Sequence, residues 1–435
     1  MAYNTFYFNG QGHEMNTDRR DLLKITLAAA AAAASALPNA FAQSPSSPSS
    51  PASPGGIDPR DRVFITNEDS NTLVVIDPRS NTVETTINLT SFDEDPRPPF
   101  RYVTAGIAPT HAAMVHKPLY HGCIDAHGAV PSPDGRLLAT SGRGSSNIYL
   151  IDAVGKRVIG NTPNPAAGPT TNAERLSSGL LLGREPHEPT FTRNGRELWV
   201  TLRGEDRIAI VDVNRAVRQL QGADSPGSTA IRQFLPTLNG PSQVWFNRDG
   251  TLAFVASQKV SKVDVFRVNA GADGHSQPQR VTTLDSSAQD KPGFTPFMKT
   301  TPDGAELWFS HKLADAVSCR STAGGFDLLD SVPLGMGARP NHVEFVSNAR
   351  ASVVYASLAR IDDAGPGGMG SSPIAIVDVD RAVRQMKGAD STGSTAIRQF
   401  LPTLNGPSQV WFNREGTLAF VARSEERRVG KECVP

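Results

Sequence analysis

Histidine is the one chemically reactive residue type that clusters in this sequence. Four histidines fall in the segment HAAMVHKPLYHGCIDAHG, at positions His111, His116, His121 and His127. Two more occur later in similar surroundings, His187 in REPHEPTF and His342 in RPNHVEF. Imidazoles that converge on one point can bind copper, zinc or iron, including haem iron at its axial position. These six histidines are therefore candidate metal or cofactor ligands.

Arginines flank two of the same segments. Arg184 and Arg203 lie on either side of the segment around His187, and Arg339 precedes His342. Their guanidinium groups could hold an anionic ligand, because each offers several N–H donors and a fixed charge. No GxSxG, P-loop, HExxH, CxxCH or paired-cysteine zinc motif occurs in the sequence, so no catalytic residue is assigned.

The elements that must position these residues are strands and turns. Residues 185–212 predict an extended segment, a turn at Asn194-Gly195, and strands over 197–202 and 208–212. Similar units begin near residues 127, 242, 295 and 341, and four of the units have opening turns that contain Gly135, Gly195, Gly250 and Gly304. A recurring unit of roughly 40–60 residues, built only from strands and turns, predicts an all-β propeller of four-stranded blades.

One stretch resembles a known repeat. FITN at 64–67, LVVID at 73–77 and NTV at 81–83 are similar to the YVTN-type β-propeller repeat, and the resemblance extends over residues 61–422. It implies about six recognisable repeats plus a fragment, from a parent ring of seven blades. The first repeat begins at its second strand, so the resemblance implies that the C-terminus supplies its first strand. It implies no particular activity, because one fold hosts many functions.

In a propeller the innermost strands line a central channel, and three of the histidines precede or begin such strands. We expect His127, His187 and His342 at equivalent positions of three blades, converging near the axis beneath the loop that carries the other three. Exported propellers of similar architecture include the haem d1 domains of nitrite reductases and the copper-histidine propeller of nitrous oxide reductase, although no ligand motif of either family aligns here. The alternative is structural: each histidine would hydrogen-bond a neighbouring blade and hold the ring together.

The N-terminal residues resemble a twin-arginine export signal. TDRRDLLK at 17–24 precedes an alanine-rich apolar run, and AFA at 40–42 has the pattern of a cleavage site. The apolar run is too short and too weakly hydrophobic for a transmembrane helix. We therefore expect a leader over residues 1–42, a Ser/Pro linker over 43–60, recognition by the twin-arginine export machinery, and a periplasmic protein without a transmembrane anchor.

Charge and cysteine content limit the classes of partner. The 43 basic and 43 acidic residues balance, so no basic surface for nucleic acid is expected. Three cysteines are too few for a disulfide framework, although Cys123 and Cys319 could pair in an oxidising compartment. The expected partner is a small-molecule or protein ligand.

The last part of the chain contains a near-identical duplication. Residues 375–422 repeat residues 209–256 with five differences, and the copy includes a loop, where repeats diverge fastest. This indicates a recent duplication or a chimeric joining of two related reading frames. RSEERRVGKEC at 423–433 resembles the in-frame translation of a sequencing adapter, so we expect residues 423–435 to be an artefactual tail.

Two further residue sets are predicted to be structural. Aspartates that end the third strands are expected to bond nearby backbone amides: Asp77, Asp152, Asp212 and Asp378. The four tryptophans recur at similar strand positions and are expected in the cores between blades: Trp199, Trp245, Trp308 and Trp411.

Three functional hypotheses follow. The first is an exported binding or scaffold propeller with its ligand at the mouth of the central channel, favoured by the lack of a catalytic motif. The second is a metal- or haem-dependent periplasmic redox protein that uses the histidine cluster, favoured by the predicted export of folded cargo. The third, a lactonase-type hydrolase, would need acidic residues converging around a calcium ion, whereas the strand beginnings offer mainly histidine and arginine.

Overall fold

The three-dimensional structure is a computed structural model. It describes residues 6–9, 58–67, 71–89, 124–160, 179–221, 223, 229–288, 291–295, 297–345, 353–358, 374–378, 381, 384, 396–401, 407–412 and 418–423. Most of the predicted leader and linker, the histidine-rich segment up to Cys123, and residues 424–435 of the predicted tail lie outside this part of the chain. Within it, no helix has the length and apolar character that crossing a membrane requires.

Strands dominate the described residues. In chain order they are β1 (Phe6–Asn9), β2 (Val63–Asn67), β3 (Thr72–Asp77), β4 (Thr82–Asn88), β5 (Ala126–Pro131), β6 (Leu137–Gly142), β7 (Asn147–Asp152), β8 (Arg157–Val158), β9 (Leu180–Leu181), β10 (Pro186–Phe191), β11 (Glu197–Leu202), β12 (Arg207–Asp212), β13 (Ile231–Pro236) and β14 (Pro241–Phe246). They continue as β15 (Leu252–Ser257), β16 (Lys262–Arg267), β17 (Gln279–Asp285), β18 (Met298–Thr300), β19 (Glu306–His311), β20 (Ala316–Ser321), β21 (Leu328–Pro333), β22 (Pro340–Phe345), β23 (Val353–Leu358), β24 (Ile374–Asp378), β25 (Ile397–Leu401), β26 (Pro407–Phe412) and β27 (Leu418–Arg423).

In the described part of the chain these strands form seven antiparallel sheets, which are the blades of a β-propeller. Blades 3 to 6 each hold four strands in sequential order, β10–β13, β14–β17, β18–β21 and β22–β25. Blade 1 holds β2–β4, blade 2 holds β5–β9, and blade 7 holds β26, β27 and β1. The first strands of successive blades lie against one another, as β5 and β14 do on either side of β10, so these strands are innermost. The predicted all-β propeller is confirmed.

A left-handed glycine follows the first strand of a blade because the turn there requires positive φ. In blade 3 the Gly195 N–H donates to the Thr192 carbonyl at 2.8 Å, and Gly195 has a φ of 69°. Asn194 has no positive φ, and its Oδ1 accepts the Arg196 N–H instead. The turn is therefore typical of a type I turn followed by a left-handed glycine, rather than the two-residue Asn-Gly turn that the sequence suggested.

Strand residues alternate between two interfaces, and both interfaces are apolar. In β11, Val200 belongs to the core shared with blade 2, whereas Trp199 belongs to the core shared with blade 4. Trp199 meets Phe246 edge to face at a centroid distance of 5.2 Å, and Trp308 meets Phe345 of blade 6 in the same way at 6.4 Å. The predicted inter-blade role of Trp199 and Trp308 is confirmed.

Most innermost strands have a bulge, and in several blades a hydroxyl group from the second strand fills it. In blade 3 the bulge lies between Pro186 and Pro189, opposite Thr201. Thr201 Oγ1 accepts the Glu188 N–H at 3.0 Å and donates to the Ser242 carbonyl of blade 4 at 3.1 Å. One hydroxyl group therefore accepts the N–H of the extra residue in its own blade and also donates a hydrogen bond to the neighbouring blade.

The same bridge recurs at other junctions. Hydroxyl groups donate across to the carbonyl of the next innermost strand at 2.7–3.0 Å, from Thr66 to His127, from Ser141 to His187 and from Ser310 to Asn341. Blade 4 has Ala256 at the equivalent position, so it joins blade 5 differently. There Gln243 Oε1 accepts the Met298 N–H at 2.7 Å.

One α-helix follows β12, which the sequence analysis did not predict. The helix, α1 (Val213–Leu220), begins after Asp212, whose Oδ1 accepts the Arg215 N–H at 2.8 Å as an N-cap. Its buried residues recur at helical spacing and join the core shared with blade 2: Val213, Ala216, Val217 and Leu220. An amphipathic pattern eight residues long was therefore missed.

The other predicted turn aspartates act in the same way as Asp212. Each accepts a backbone N–H two or three residues along the chain, Asp77 from Arg79, Asp152 from Val154 and Asp378 from Arg381, at 2.8–3.1 Å. Their predicted role is confirmed.

Among the described residues, the C-terminal strands form a blade of their own instead of completing blade 1. β26 and β27 pair with each other and with β1, while the sheet of blade 1 holds β2, β3 and β4. The duplication explains this, because residues 407–422 copy the first two strands of blade 4 up to Ala256 and pair in the same register. β1 belongs to the predicted leader, but its FYFN sequence favours a strand and β27 offers an edge.

The two copies of the duplicated segment meet different neighbours. Trp245 of the first copy donates from Nε1 to Thr300 Oγ1 of the next blade at 3.1 Å. Its counterpart Trp411 is 39% exposed. Both tryptophans lie on innermost strands, so they do not occupy the second-strand core position of Trp199 and Trp308.

The duplicated arginines differ in the same way. Arg232 forms an ion pair with the fully buried Glu197, which stands opposite Asp212 in the register of blade 3. In blade 6 that register position holds Val353, and the counterpart Arg398 lies 3.9 Å from Asp378. The same duplicated arginine therefore forms an ion pair with a buried carboxylate in the first copy and a more exposed ion pair in the second.

This contrast predicts unequal effects of the same substitution. Arg232→Met should lower the free energy of unfolding by about 3 kcal/mol, because it leaves the buried Glu197 carboxylate without its charged partner. Arg398→Met, the matched control, should change it by less than about 0.5 kcal/mol. Urea unfolding followed by tryptophan fluorescence measures both, and equal effects would contradict the assignment of partners.

Candidate functional site

Two neighbouring innermost strands bring two imidazoles together at one end of the blades. His127 is the second residue of β5 and His187 the second residue of β10, so both lie in the bulge of their strand. Their ring centroids are 4.5 Å apart and their planes are inclined at 65°. The hydroxyls of Thr66 and Ser141 fix the two backbones, because each binds the carbonyl of one histidine.

Glu188 completes a cluster with these histidines. A ring nitrogen of His127, a ring nitrogen of His187 and a carboxylate oxygen of Glu188 all lie within 4.8 Å of one another. His187 and Glu188 share the bulge, where two residues stand opposite one, so consecutive side chains can reach the same point. We call His127, His187 and Glu188 the junction cluster, since it lies between blades 2 and 3.

His342 occupies a different strand position from the other two. In the register of the sheets Pro340 corresponds to Pro186, so His342 corresponds to Glu188 and not to His187. The prediction of three equivalent histidines is therefore wrong for His342, which lies one residue further along its strand than the position of His187. The match of RPNHVEF to REPHEPTF concealed this, because the histidine stands one residue further from the proline.

The surroundings of His342 are those of a structural residue. Its ring packs between Phe297 and Trp411, at centroid distances of 4.7 and 5.0 Å, and its Nδ1 lies 3.5 Å from the Val410 N–H donor of blade 7. Burial lowers its pKa well below the usual histidine value, and the charge of Lys299 lowers it further. A neutral imidazole joining three blades matches the structural alternative.

His187 is a neutral imidazole with a defined tautomer. Its Nδ1 lies 2.8 Å from the Ser242 carbonyl oxygen, which can only accept, so Nδ1 carries the proton. Burial lowers the pKa of His187 well below the usual value, and the charges of His127, Arg203 and Arg143 lower it further. Nε2 therefore keeps a lone pair at neutral pH, which a metal ion or a hydrogen-bond donor can use.

The carboxyl group of Glu188 occupies space that a glycine leaves. Glu188 is 7% exposed, and its Oε2 lies 2.5 Å from where a Cβ atom at Gly128 would be. Its Oε1 is buried without a hydrogen-bond partner. Burial raises the pKa of Glu188 to about 8, against a smaller opposing effect of the Arg143 charge. Glu188 is therefore protonated at neutral pH and can donate a proton.

Two buried ion pairs lie beside the junction cluster, one in each blade. Arg143 binds Asp125 through two bonds of 2.7 and 3.0 Å, and Arg203 lies 3.4 Å from Glu185. Asp125 and Glu185 each precede an innermost strand and have a left-handed backbone, with φ of 56° and 51°. Because each guanidinium has its own carboxylate, the pairs place little net charge next to the histidines.

The three arginines predicted to hold a ligand lie in different environments. Arg203 belongs to the ion pair beside His187, and its Nε is buried without a hydrogen-bond partner. The Arg184 guanidinium is more exposed and lies 3.8 Å from Glu205. Arg339 precedes β22 in blade 6, with a left-handed backbone. The structure thus places Arg203 at the junction cluster, and ligand binding by these arginines stays a prediction.

Another part of the channel is filled by side chains that bind one another. Four innermost strands contribute the equivalent residue to one layer: Trp245, Lys299, Glu344 and Trp411. Lys299 forms an ion pair with Glu344, and its Nζ lies 4.9 and 4.8 Å from the ring centroids of Trp245 and Trp411. A cation held by two indole rings and a carboxylate is fully partnered, so this layer is structural.

Three predicted histidine ligands lie outside the described residues: His111, His116 and His121. Cys123 lies outside them as well, so its pairing with the buried Cys319 stays a prediction. A metal role for the histidines of the chain is likewise a prediction at this point.

Sequence analysis identified Arg203 but missed its partner Glu185, the Arg143 ion pair of blade 2 and Glu188. A recurring pattern could have found them, since both repeats place a carboxylate two residues before the histidine and an arginine sixteen residues after it. The pattern links Asp125, His127 and Arg143 in blade 2, and Glu185, His187 and Arg203 in blade 3. Glu188 carries no such signal, because its counterpart in blade 2 is Gly128.

Comparison with known proteins adds one family match. Residues 179–354 match the family model described as Lactonase, 7-bladed beta-propeller. This segment spans blades 3 to 5 and the start of blade 6, and it includes His187, Glu188 and Arg203 but not His127. No curated protein matches the chain.

Solved structures share the architecture at low sequence identity. Hydrazine synthase of Kuenenia stuttgartiensis is similar over 83% of this chain and 89% of its own, at 14% identity and a TM-score of 0.56. A streptogramin B lyase is similar over 83% of this chain and 89% of its own, at 12% identity and a TM-score of 0.51. At these identities the similarity shows a shared propeller fold alone.

The buried carboxyl group predicts a pH-dependent stability. In the unfolded chain Glu188 ionises above about pH 4, whereas in the folded chain it ionises above about pH 8. Stability should therefore fall as pH rises through this window, by up to about 1.4 kcal/mol per pH unit from this group. Glu188→Gln should remove that loss, so that the variant gains stability over the unaltered chain as pH rises.

The measurement is urea unfolding of both proteins from pH 4 to pH 9, in the presence of EDTA. A difference in unfolding free energy that stays constant with pH would show that Glu188 titrates normally.

Proposed function

We propose that this chain is an exported β-propeller that binds a small-molecule ligand at the junction cluster, where the innermost strands of blades 2 and 3 begin. The observation that carries the proposal is the Glu188 carboxyl group, buried beside two imidazoles with one oxygen unpartnered. A buried polar atom without a partner costs about 1–3 kcal/mol, and a ligand that bonds to it removes that cost. Strongly shifted titratable groups concentrate at functional sites.

The chemistry of the cluster suits an oxygen-rich ligand. Protonated Glu188 can donate to a carbonyl or ether oxygen, and Nε2 of His187 can accept from a hydroxyl group. Arg143 and Arg203 are neutralised by their own carboxylates, so a neutral or singly charged ligand fits better than a polyanion. Sugars, hydroxy acids and their lactones have this chemistry.

Export to the periplasm belongs to the same proposal and is supported by the arginine pair before the apolar run. The twin-arginine route carries folded cargo, so the ring could assemble before export. Replacing Arg19 and Arg20 by lysine should leave the precursor in the cytoplasmic fraction of a bacterium that exports the unaltered chain. Equal export of both proteins would remove this part of the proposal.

Hydrolysis of a lactone is a second candidate, favoured by the family match over residues 179–354. Nε2 of His187 would take a proton from water as the water oxygen attacks the lactone carbonyl. Glu188 would give its proton to the ring oxygen as the carbon–oxygen bond breaks, which leaves a hydroxy acid. This route uses one acid and one base, rather than the converging carboxylates around calcium that the sequence analysis required of a lactonase.

Binding is tested with the full chain in EDTA against γ- and δ-lactones and their hydroxy acids, by ligand-observed NMR and titration. We expect at least one compound to bind and Glu188→Gln to weaken it about tenfold, the effect of losing one hydrogen bond. His275→Ala is the matched control, because it removes an imidazole bound to Asp212 and Asp273 at the opposite ends of the strands.

Hydrolysis of the same compounds, followed in a pH-stat, separates the two candidates. Turnover that is lost in Glu188→Gln and His187→Gln but kept in His275→Ala supports the lactonase. Binding without turnover supports the binding propeller. Absence of binding, or equal binding to Glu188→Gln, contradicts the binding of an organic ligand at the junction cluster. The redox hypothesis stays a prediction, because three of the histidines that motivated it lie outside the described residues.

A further inference from the structure

The junction cluster has the donor set of a transition-metal site. Imidazole nitrogen suits zinc, copper and iron, and two histidines with one carboxylate are a known ligand combination for zinc and for non-haem iron. The three donor atoms lie within 4.8 Å of one another. Donor atoms bound at about 2.1 Å to a tetrahedral zinc ion lie about 3.4 Å apart, so side-chain rotations must bring these atoms closer by up to about 1.4 Å.

A second observation points to a ligand at the same place. Glu188 is more than nine-tenths buried, its side chain reaches into the space beside Gly128, and its Oε1 has no hydrogen-bond partner. A carboxylate in such a position is costly unless a proton or a cation neutralises it. Nearby cations are already committed, since Arg143 is bound to Asp125 and Arg203 to Glu185.

The outer surroundings of the cluster also match those of metal ligands. The Ser242 carbonyl holds the proton of His187 on Nδ1 and so leaves a lone pair on Nε2. Metal-binding histidines usually have such a carbonyl or carboxylate partner on the other ring nitrogen. The Thr66 and Ser141 hydroxyls anchor the backbone carbonyls of His127 and His187, so both imidazoles start from fixed positions.

We propose that His127, His187 and Glu188 bind one divalent transition-metal ion of the zinc and iron class, with coordination positions left open to a further ligand. The site rests on the junction cluster assigned under Proposed function, and it names the ion that this cluster would use. An open position would let a ligand oxygen bind the ion directly.

The test uses the full chain stripped with EDTA and then titrated with Zn²⁺ in competition with a chromophoric chelator. Co²⁺ serves as a spectroscopic probe, because its visible absorption reports the number and type of ligands. We expect one Zn²⁺ per chain and a Co²⁺ spectrum typical of mixed nitrogen and oxygen ligands.

Variants assign the ligands. Glu188→Gln and His127→Ala should each weaken Zn²⁺ binding by more than the ~10–100-fold that loss of an outer-shell partner costs. His127 is only partly buried, so His127→Ala is expected to fold even if substitutions at the buried positions do not, and near-UV circular dichroism checks this. His275→Ala is again the control and should bind Zn²⁺ like the unaltered chain.

The outcomes separate this proposal from the previous one. No stoichiometric Zn²⁺ binding, or unchanged binding in both Glu188→Gln and His127→Ala, overturns the metal site. If a lactone or hydroxy acid still binds in EDTA, the ligand-binding proposal survives that failure. Stoichiometric Zn²⁺ without any organic ligand supports the metal site and overturns the ligand-binding proposal instead.

Discussion

The arrangement of this molecule depends on a hydroxyl group inserted into the bulge of an innermost strand. In blade 3 the Thr201 hydroxyl accepts an N–H from the bulge and donates to the next blade, and it is surrounded by apolar cores that exclude water. A buried carbonyl left without such a donor would cost about 1–3 kcal/mol, so the residue on the second strand must be serine or threonine, or the junction must find another solution. Between blades 4 and 5 the link is of the opposite kind, because Gln243 Oε1 accepts the Met298 N–H, whereas a bridging hydroxyl donates to a carbonyl.

The same bulge gives the junction cluster its chemistry. It lets consecutive residues leave the strand towards different partners, so that Nδ1 of His187 bonds to blade 4 while Glu188 fills space in blade 2. Burial then moves the two pKa values in opposite senses, which leaves a neutral base beside a neutral acid at pH 7. A site that binds a metal ion, or one that transfers protons, can both be derived from this pair. The two kinds of site differ in the fate of the Glu188 proton, which a metal ion would displace and which a proton-transfer site would pass to the ligand.

Sequence predicts the fold well because the fold depends on a short-range pattern. The turn glycines and the strand over 197–202 are found where the pattern places them, since alternation and turn chemistry are local. Helix α1 was not predicted, because its helical periodicity extends over only eight residues. The prediction treated the four tryptophans as equivalent because their local sequences are similar. Two of them lie on second strands and two on innermost strands, and that difference depends on which strand of the blade each segment forms.

The site was predicted only in part, for a physical reason. The sequence placed His127 and His187 near the starts of their strands. It did not indicate Glu188, because the side chain of Glu188 reaches the cluster through space that Gly128 of the neighbouring blade leaves. His342 shows the converse, because a shift of one residue relative to the bulge moves an imidazole from the junction to a core. Such a shift depends on pairing register, which composition and motif similarity do not report.

The central claim is that the junction between blades 2 and 3 is a binding site rather than a structural contact. Anomalous diffraction from a crystal of the full chain grown with zinc, recorded on both sides of the zinc absorption edge, tests it most directly. The account predicts one strong anomalous peak bounded by His127, His187 and Glu188. A crystal that shows these three side chains packed against each other, with zinc elsewhere or absent, would contradict it.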